Sequence, residues 1–113
     1  MRDPIRDKGR LEHIVTAINN VQRFLSEKTF EDFRNDDILY FAVVKNIEII
    51  GEAAYMLTSD FRDTHTSVPW QKVIAMRHIL VHGYYQISAE LVWDVTISDL
   101  VELKVQVETF LKE

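Results

Sequence analysis

Ala75-Met76-Arg77-His78-Ile79-Leu80-Val81-His82-Gly83-Tyr84-Tyr85 places an arginine, two histidines and two tyrosines at the end of an otherwise apolar segment. The pattern predicts a helix from Trp70 to near His82, opened by Ser67-Val68-Pro69. Proline there sits in the first turn, where its missing N–H does no harm. At about 100° per residue, Trp70, Val73, Ile74, Leu80 and Val81 share one side, and Arg77 falls in its middle. A guanidinium keeps its proton, so such a place calls for an anion to meet it. His78 and His82 are four apart and stack on a neighbouring face. Gly83 suits the αL position that ends a helix, and Tyr84 and Tyr85 leave on another heading.

The chain has 113 residues, room for one domain (1–113) with a real core. Hydrophobic residues make up 47% of it, and only 3 Gly and 2 Pro interrupt it, which suits a helical protein and argues against disorder. Without cysteine there is neither a disulfide nor a thiolate metal site, and the chain fits a reducing cytoplasm. No run of about 18 apolar residues offers a membrane span. Met1 to Lys8 is charged and no apolar signal core follows it. The expectation is a soluble, cytoplasmic protein. A net charge of -5 argues against a broad nucleic-acid coat. It leaves room for an enzyme that meets RNA in one local basic cleft, or for a toxin-like protein with a basic partner.

Working outward, a first helix is predicted from about Asp7 to Glu27, with Leu11, Ile14, Val15, Ile18, Val21 or Gln22, and Leu25 inward. His13 reads as a surface or boundary histidine. Arg2, Arg6 and Arg10, spaced by four, read as a solvated face. Thr29-Phe30-Glu31-Asp32 resembles a short capping turn, and Asn35 or Asp36 caps the next helix.

That helix is predicted from about Asp36 to Thr58. Its apolar arc includes Ile38, Leu39, Ala42, Val43, Ile47, Ile49, Ile50, Ala53, Ala54 and Leu57, wide enough for more than one neighbour. Lys45, Glu48, Glu52 and Tyr55 form the polar stripe. Asn46 breaks the arc near its centre, either as a core amide that fixes register or as a site residue. Gly51 costs about 1 kcal/mol in a helix interior, which close approach of another helix would explain. Ser59 to Ser67 reads as a polar connection, Tyr84 to Ile87 as extended or loop. A last helix runs from Ser88 to about Leu111, with Trp93, Ile97, Leu100, Val107 and Leu111 inward. Val92, Thr96 and Val101 blur that face. The fold class is all-α, an antiparallel bundle of four to five helices.

The chemistry narrows by residue type. Gly9, Gly51 and Gly83 are isolated, so no phosphate loop exists. His78 and His82 have zinc-ligand spacing but lack the glutamate of His-Glu-x-x-His, and only His13, His65 or a carboxylate could add a ligand. What remains is arginine plus histidine, without metal or cofactor. An arginine fork holds a phosphate and stabilises the charge that builds on it during displacement. A histidine near neutral pKa takes or returns a proton. One helix supplies a thin set, and a dimer would double it. Ala75, Met76 and Ile79 also need cover, so this helix is expected to form both core and subunit interface. The structural alternative pairs Arg77 with Glu48 or Glu52 and leaves His82 as a helix-end cation.

Arg77-His78-Ile79-Leu80-Val81-His82 resembles the Arg, polar residue, three residues, His pattern of the HEPN ribonuclease superfamily. Continued to Gly83-Tyr84, it is similar to the Arg-x4-His-x-Tyr form of the HepT toxins. Ile47-Glu48-Ile49-Ile50-Gly51-Glu52-Ala53-Ala54 resembles the second-helix signature of that family. The resemblance implies a homodimeric all-α bundle and a metal-independent endoribonuclease with sites at the dimer cleft. It implies Arg77 and His82 as catalytic residues and His78 as polar support. Asn46 is the further supporting candidate. It also implies a toxin neutralised by an MNT-type nucleotidyltransferase antitoxin that transfers AMP to the motif tyrosine, here Tyr84. The alternative is a non-catalytic helical dimer that binds a small nucleotidyltransferase.

Overall fold

Asp7 opens α1 (Asp7–Leu25), whose inward positions Leu11, Ile14, Ala17, Ile18 and Val21 are all buried. The computed structural model describes residues 6–82 and 88–113, and along 79–82 it describes the helical backbone alone. A short helix α2 (Phe30–Arg34) follows. It is held by a complete capping box: the Thr29 hydroxyl accepts from the Asp32 N–H, and the Asp32 carboxylate accepts from the Thr29 N–H.

Asp36 caps α3 (Asp37–Met56) by accepting from the Leu39 N–H at 3.0 Å. α3 is the central rod: α1 packs along one side of it and α5 (Trp70–His82) along another. Val43, Ile47, Ile50, Ala53 and Ala54 are buried between them. The predicted arc was too wide. Ile38 is 84% exposed, and Ile49 also faces outward. Ile38 lies in the first turn of α3, where its side chain is left exposed.

The stretch read as a polar connection contains a helix instead, α4 (Ser59–Thr64). Thr58 caps it through the Phe61 N–H, and Thr58 is itself held by Asp7, whose carboxylate accepts from the Thr58 N–H at 2.9 Å and hydroxyl at 2.7 Å. Phe61 stacks on His65 and meets Trp70 and Phe110 edge-on. Long-range aromatic packing, not local apolar periodicity, therefore stabilises α4.

The C-terminal rod is α6 (Ala89–Asp94), a π-helical turn (Val95–Asp99) and α7 (Leu100–Leu111). α7 packs against α1, and α2 packs against α6. The π turn shifts the inward register. Val92, Thr96, Leu100, Leu103 and Val107 are buried, while Ile97, predicted inward, is 56% exposed. An i→i+5 turn rotates every later side chain relative to a regular helix. Among the described residues every regular element is helical, as expected, and no helix is long and apolar enough to cross a membrane.

Candidate active site

The site grows from the crossing of α3 and α5. A β-carbon built on Gly51 would overlap that of Arg77 and lie 3.3 Å from the Arg77 Cα. Glycine lets the two backbones close to a distance that any side chain would prevent. This is the close approach that a helix-interior glycine implied.

Arg77 starts from that tight crossing and runs outward along α3. Its Nε lies 3.0 Å from Glu52 Oε2, and the two side chains are 38% and 50% exposed. The arginine is therefore not stranded on an apolar face. Its stem packs in the helix interface and its head reaches a carboxylate at the surface. Of the two acids weighed as partners, Glu52 holds it. Glu48 lies 3.9 Å from Lys45.

Arg77 and Glu52 open into a cleft of about 240 Å³. Arg10 and His13 of α1 form one wall, and Lys45, Glu48 and Glu52 of α3 line the rest with Arg77. Ile49 and Ala53 complete its surface. Three helices thus bring three permanent cations, two carboxylates and an imidazole to one small opening. Arg10, Arg77 and Glu52 are far apart in sequence. Only the packing of α1 and α5 on α3 unites them.

The sequence puts Arg10 on a solvated face and His13 at the surface or a boundary, and does not reveal that the two share a cleft wall. Their three-residue spacing puts them on one side of α1. The Lys45, Glu48, Glu52 stripe marks the matching side of α3. Neither pattern says which side of one helix meets which side of the other.

Asn46 is buried and its hydrogen bonds are structural. It accepts from Asn20 Nδ2 at 3.2 Å and donates to the Ala42 carbonyl at 2.9 Å. It ties α3 to α1. His78 is exposed on α5. His65 lies in the aromatic cluster with Phe61 and Phe110, bonded to Glu113. The side chain of His82 and the whole of Gly83 to Ile87, including Tyr84, lie outside the described residues.

A larger cavity of about 450 Å³ lies between α5 and the C-terminal rod. Val73, Met76, Val92, Leu100 and Leu103 line it with Lys72, Asp99 and Glu102 at its edge, and among the described residues neither Arg77 nor a histidine does. Size favours that cavity, but the groups able to hold an anion or move a proton favour the smaller cleft.

An all-helical bundle with an arginine-bearing polar cleft is the class of protein that the fold defines. Comparison with known families is more specific: the chain belongs to the HepT-like ribonuclease family, whose model matches residues 14–110. A Thermococcus cleftensis protein named for ribonuclease HepT is 36% identical over 105 residues, 93% of this chain and 96% of its own. A Caldanaerobacter subterraneus subsp. tengcongensis protein named for RNase activity is 35% identical over 103 residues, 91% of this chain and 92% of its own. A similarly named protein of Methanocaldococcus jannaschii is 34% identical over 101 residues, 89% and 93% of the two chains. No solved structure matches the chain.

Proposed function

We propose that this protein is a metal-independent endoribonuclease toxin in which Arg77 and His82 are the catalytic pair. The observation that carries the reading is the family match, which extends from α1 through both residues. The cleft at Arg77 supports it by supplying a solvent-open, cationic place for a phosphate.

The chemistry follows from the groups. The 2′-hydroxyl of RNA attacks the adjacent phosphorus, and its proton passes to an imidazole. Negative charge builds on the phosphoryl oxygens, where the Arg77 guanidinium meets it. The 5′-oxygen leaves with a returned proton, giving a 2′,3′-cyclic phosphate and a free 5′-hydroxyl. One His82 cannot take and return a proton at the same instant, so a second copy placing another Arg77 and His82 nearby completes the set. Ile97, Val101 and Val105, spaced by four and all exposed, give the C-terminal rod an apolar stripe suited to such a partner. His78 supports the motif from the same helix.

The regulatory half concerns Tyr84. AMP transferred there by an MNT-type nucleotidyltransferase antitoxin would set a bulky anion seven residues from Arg77 and occupy the guanidinium meant for RNA. Co-expression with such a partner should add one AMP to the intact mass, and Tyr84→Phe should abolish the addition. RNA cleavage in excess EDTA tests the enzyme: wild type should cut, and folded His82→Ala should not. Undiminished cutting by that variant would remove His82 from the mechanism.

A second reading keeps the dimer and the nucleotidyltransferase but drops the chemistry. The Arg77–Glu52 ion pair favours it, because it gives the arginine a structural partner. The two readings differ in whether purified wild type cleaves RNA at all.

A further inference from the structure

The motif accounts for one cation in the cleft, and among the described residues the cleft holds three. Glu52 meets Arg77 and Glu48 meets Lys45. Arg10 is half-buried on the opposite wall and makes no ion pair among the described residues. A partly covered guanidinium beside two carboxylates that are both engaged elsewhere is poised for an anion from outside. His13, one helical turn away on α1, adds a ring that can donate to the same anion.

We propose that Arg10, assisted by His13 and Lys45, binds a phosphate of the RNA strand next to the one held at Arg77. This rests on the ribonuclease reading and adds a positioning subsite to it. Two properties of the cleft define what it takes. At about 240 Å³ it has room for a sugar–phosphate segment. Among the described residues no Phe, Tyr or Trp lines it, and its one ring, His13, is the one assigned here to the phosphate. Its grip is on the backbone and carries no sequence information. A chain of net charge -5 can hold RNA this way because the cations are gathered where the strand runs. Arg10 is a positioning residue here: it fixes the strand so that the scissile phosphate meets Arg77.

The test uses the full-length protein and a short 2′-O-methyl oligouridine, which binds but cannot be cut. Its affinity is measured across a salt series for wild type, Arg10→Ala, Arg10→Lys and Lys45→Ala. One lost phosphate contact on a single strand lowers the log–log salt slope by about 0.7. Arg10→Ala should show that loss with affinity down about five- to twentyfold, and Arg10→Lys should recover part of it. Lys45 is 71% exposed, so Lys45→Ala should keep the fold and show a smaller fall. On cleavable RNA the Arg10→Ala defect should appear in KM with kcat nearly unchanged.

Unchanged affinity and slope in Arg10→Ala and Lys45→Ala, with wild type still cutting RNA, overturns the subsite and leaves the ribonuclease standing. A wild type that binds the oligonucleotide but never cuts RNA overturns the ribonuclease reading instead. A wild type that neither binds nor cuts overturns both. Should Arg10→Ala unfold, the Lys45→Ala salt slope decides alone.

Discussion

Gly51 and Arg77 face each other where α3 and α5 cross, so close that a β-carbon on residue 51 would overlap the Arg77 β-carbon. The glycine is the condition for the arginine's position. Alanine at 51 should gain about 1 kcal/mol in helix propensity. It should lose more, about 1–3 kcal/mol, by forcing the helices apart. Chemical denaturation should therefore show Gly51→Ala less stable than wild type and Gly51→Val worse still. RNA cleavage should fall further than stability does, since Arg77 moves with α5. A Gly51→Ala protein more stable than wild type by the full propensity gain of about 1 kcal/mol would mean that the helices part at no cost.

Glu52 holds Arg77 at the surface of the cleft and competes with any phosphate for it. Both side chains are well exposed, so the pair should add less than about 1 kcal/mol to folding. Glu52→Gln should melt within a degree or two of wild type and bind RNA about two- to fivefold more tightly, seen in KM. If the pair is purely structural, the variant loses stability and gains no affinity.

Asp7 anchors the start of α4 from the first turn of α1. Asp7→Ala would leave the buried N–H and hydroxyl of Thr58 without their acceptor. Urea unfolding should show a loss of about 2–4 kcal/mol. Proteolysis should begin within 59–64, because among the described residues this is the hydrogen-bonded tie between α4 and α1. A near-neutral Asp7→Ala would show that water replaces the carboxylate.

His65 offers a pH test. Burial, the largest single influence, pushes its pKa down. The Glu113 carboxylate, the Phe61 carbonyl and Asp7 push it up, and together they win, placing it above its ordinary 6.5. A raised folded pKa means that the protonated ring stabilises the native state. That contribution is complete below the unfolded pKa and is lost as pH rises through the folded value. The melting temperature of wild type minus that of Glu113→Gln should therefore shrink as pH is raised from about 5.5 to 8.5. A difference that stays flat over that range would mean that the 2.8 Å contact between His65 and Glu113 does not survive in solution.

Much of this was written in the chain. α1, α3 and α5 announce themselves through apolar positions at three- and four-residue spacing, and Thr29 and Asp36 mark helix starts by their side-chain chemistry. Gly51 signalled a close crossing before its partner was known. α4 was hidden because Ser59, Asp60, Arg62, Asp63 and Thr64 have no apolar period, and its anchor is Phe61 against residues from elsewhere. A regular helical period puts Ile97 inward, and the π turn of the backbone there carries it outward. Arg10 and His13 were missed for a tertiary reason. A helix's own sequence separates its wet side from its dry side, but not wet solvent from the wet wall of a cleft.

The central claim is that the Arg77 guanidinium stabilises charge on a scissile RNA phosphate. Single-turnover cleavage of end-labelled RNA in EDTA, by wild type, Arg77→Lys and Arg77→Ala at matched folded concentration, tests it most directly. Catalysis through Arg77 predicts a rate loss of at least about a hundredfold in Arg77→Ala. Arg77→Lys should be only partly restored, because an ammonium lacks the fork that grips two phosphoryl oxygens. Cleavage by Arg77→Ala at the wild-type rate would contradict it, leaving the arginine as no more than the partner of Glu52.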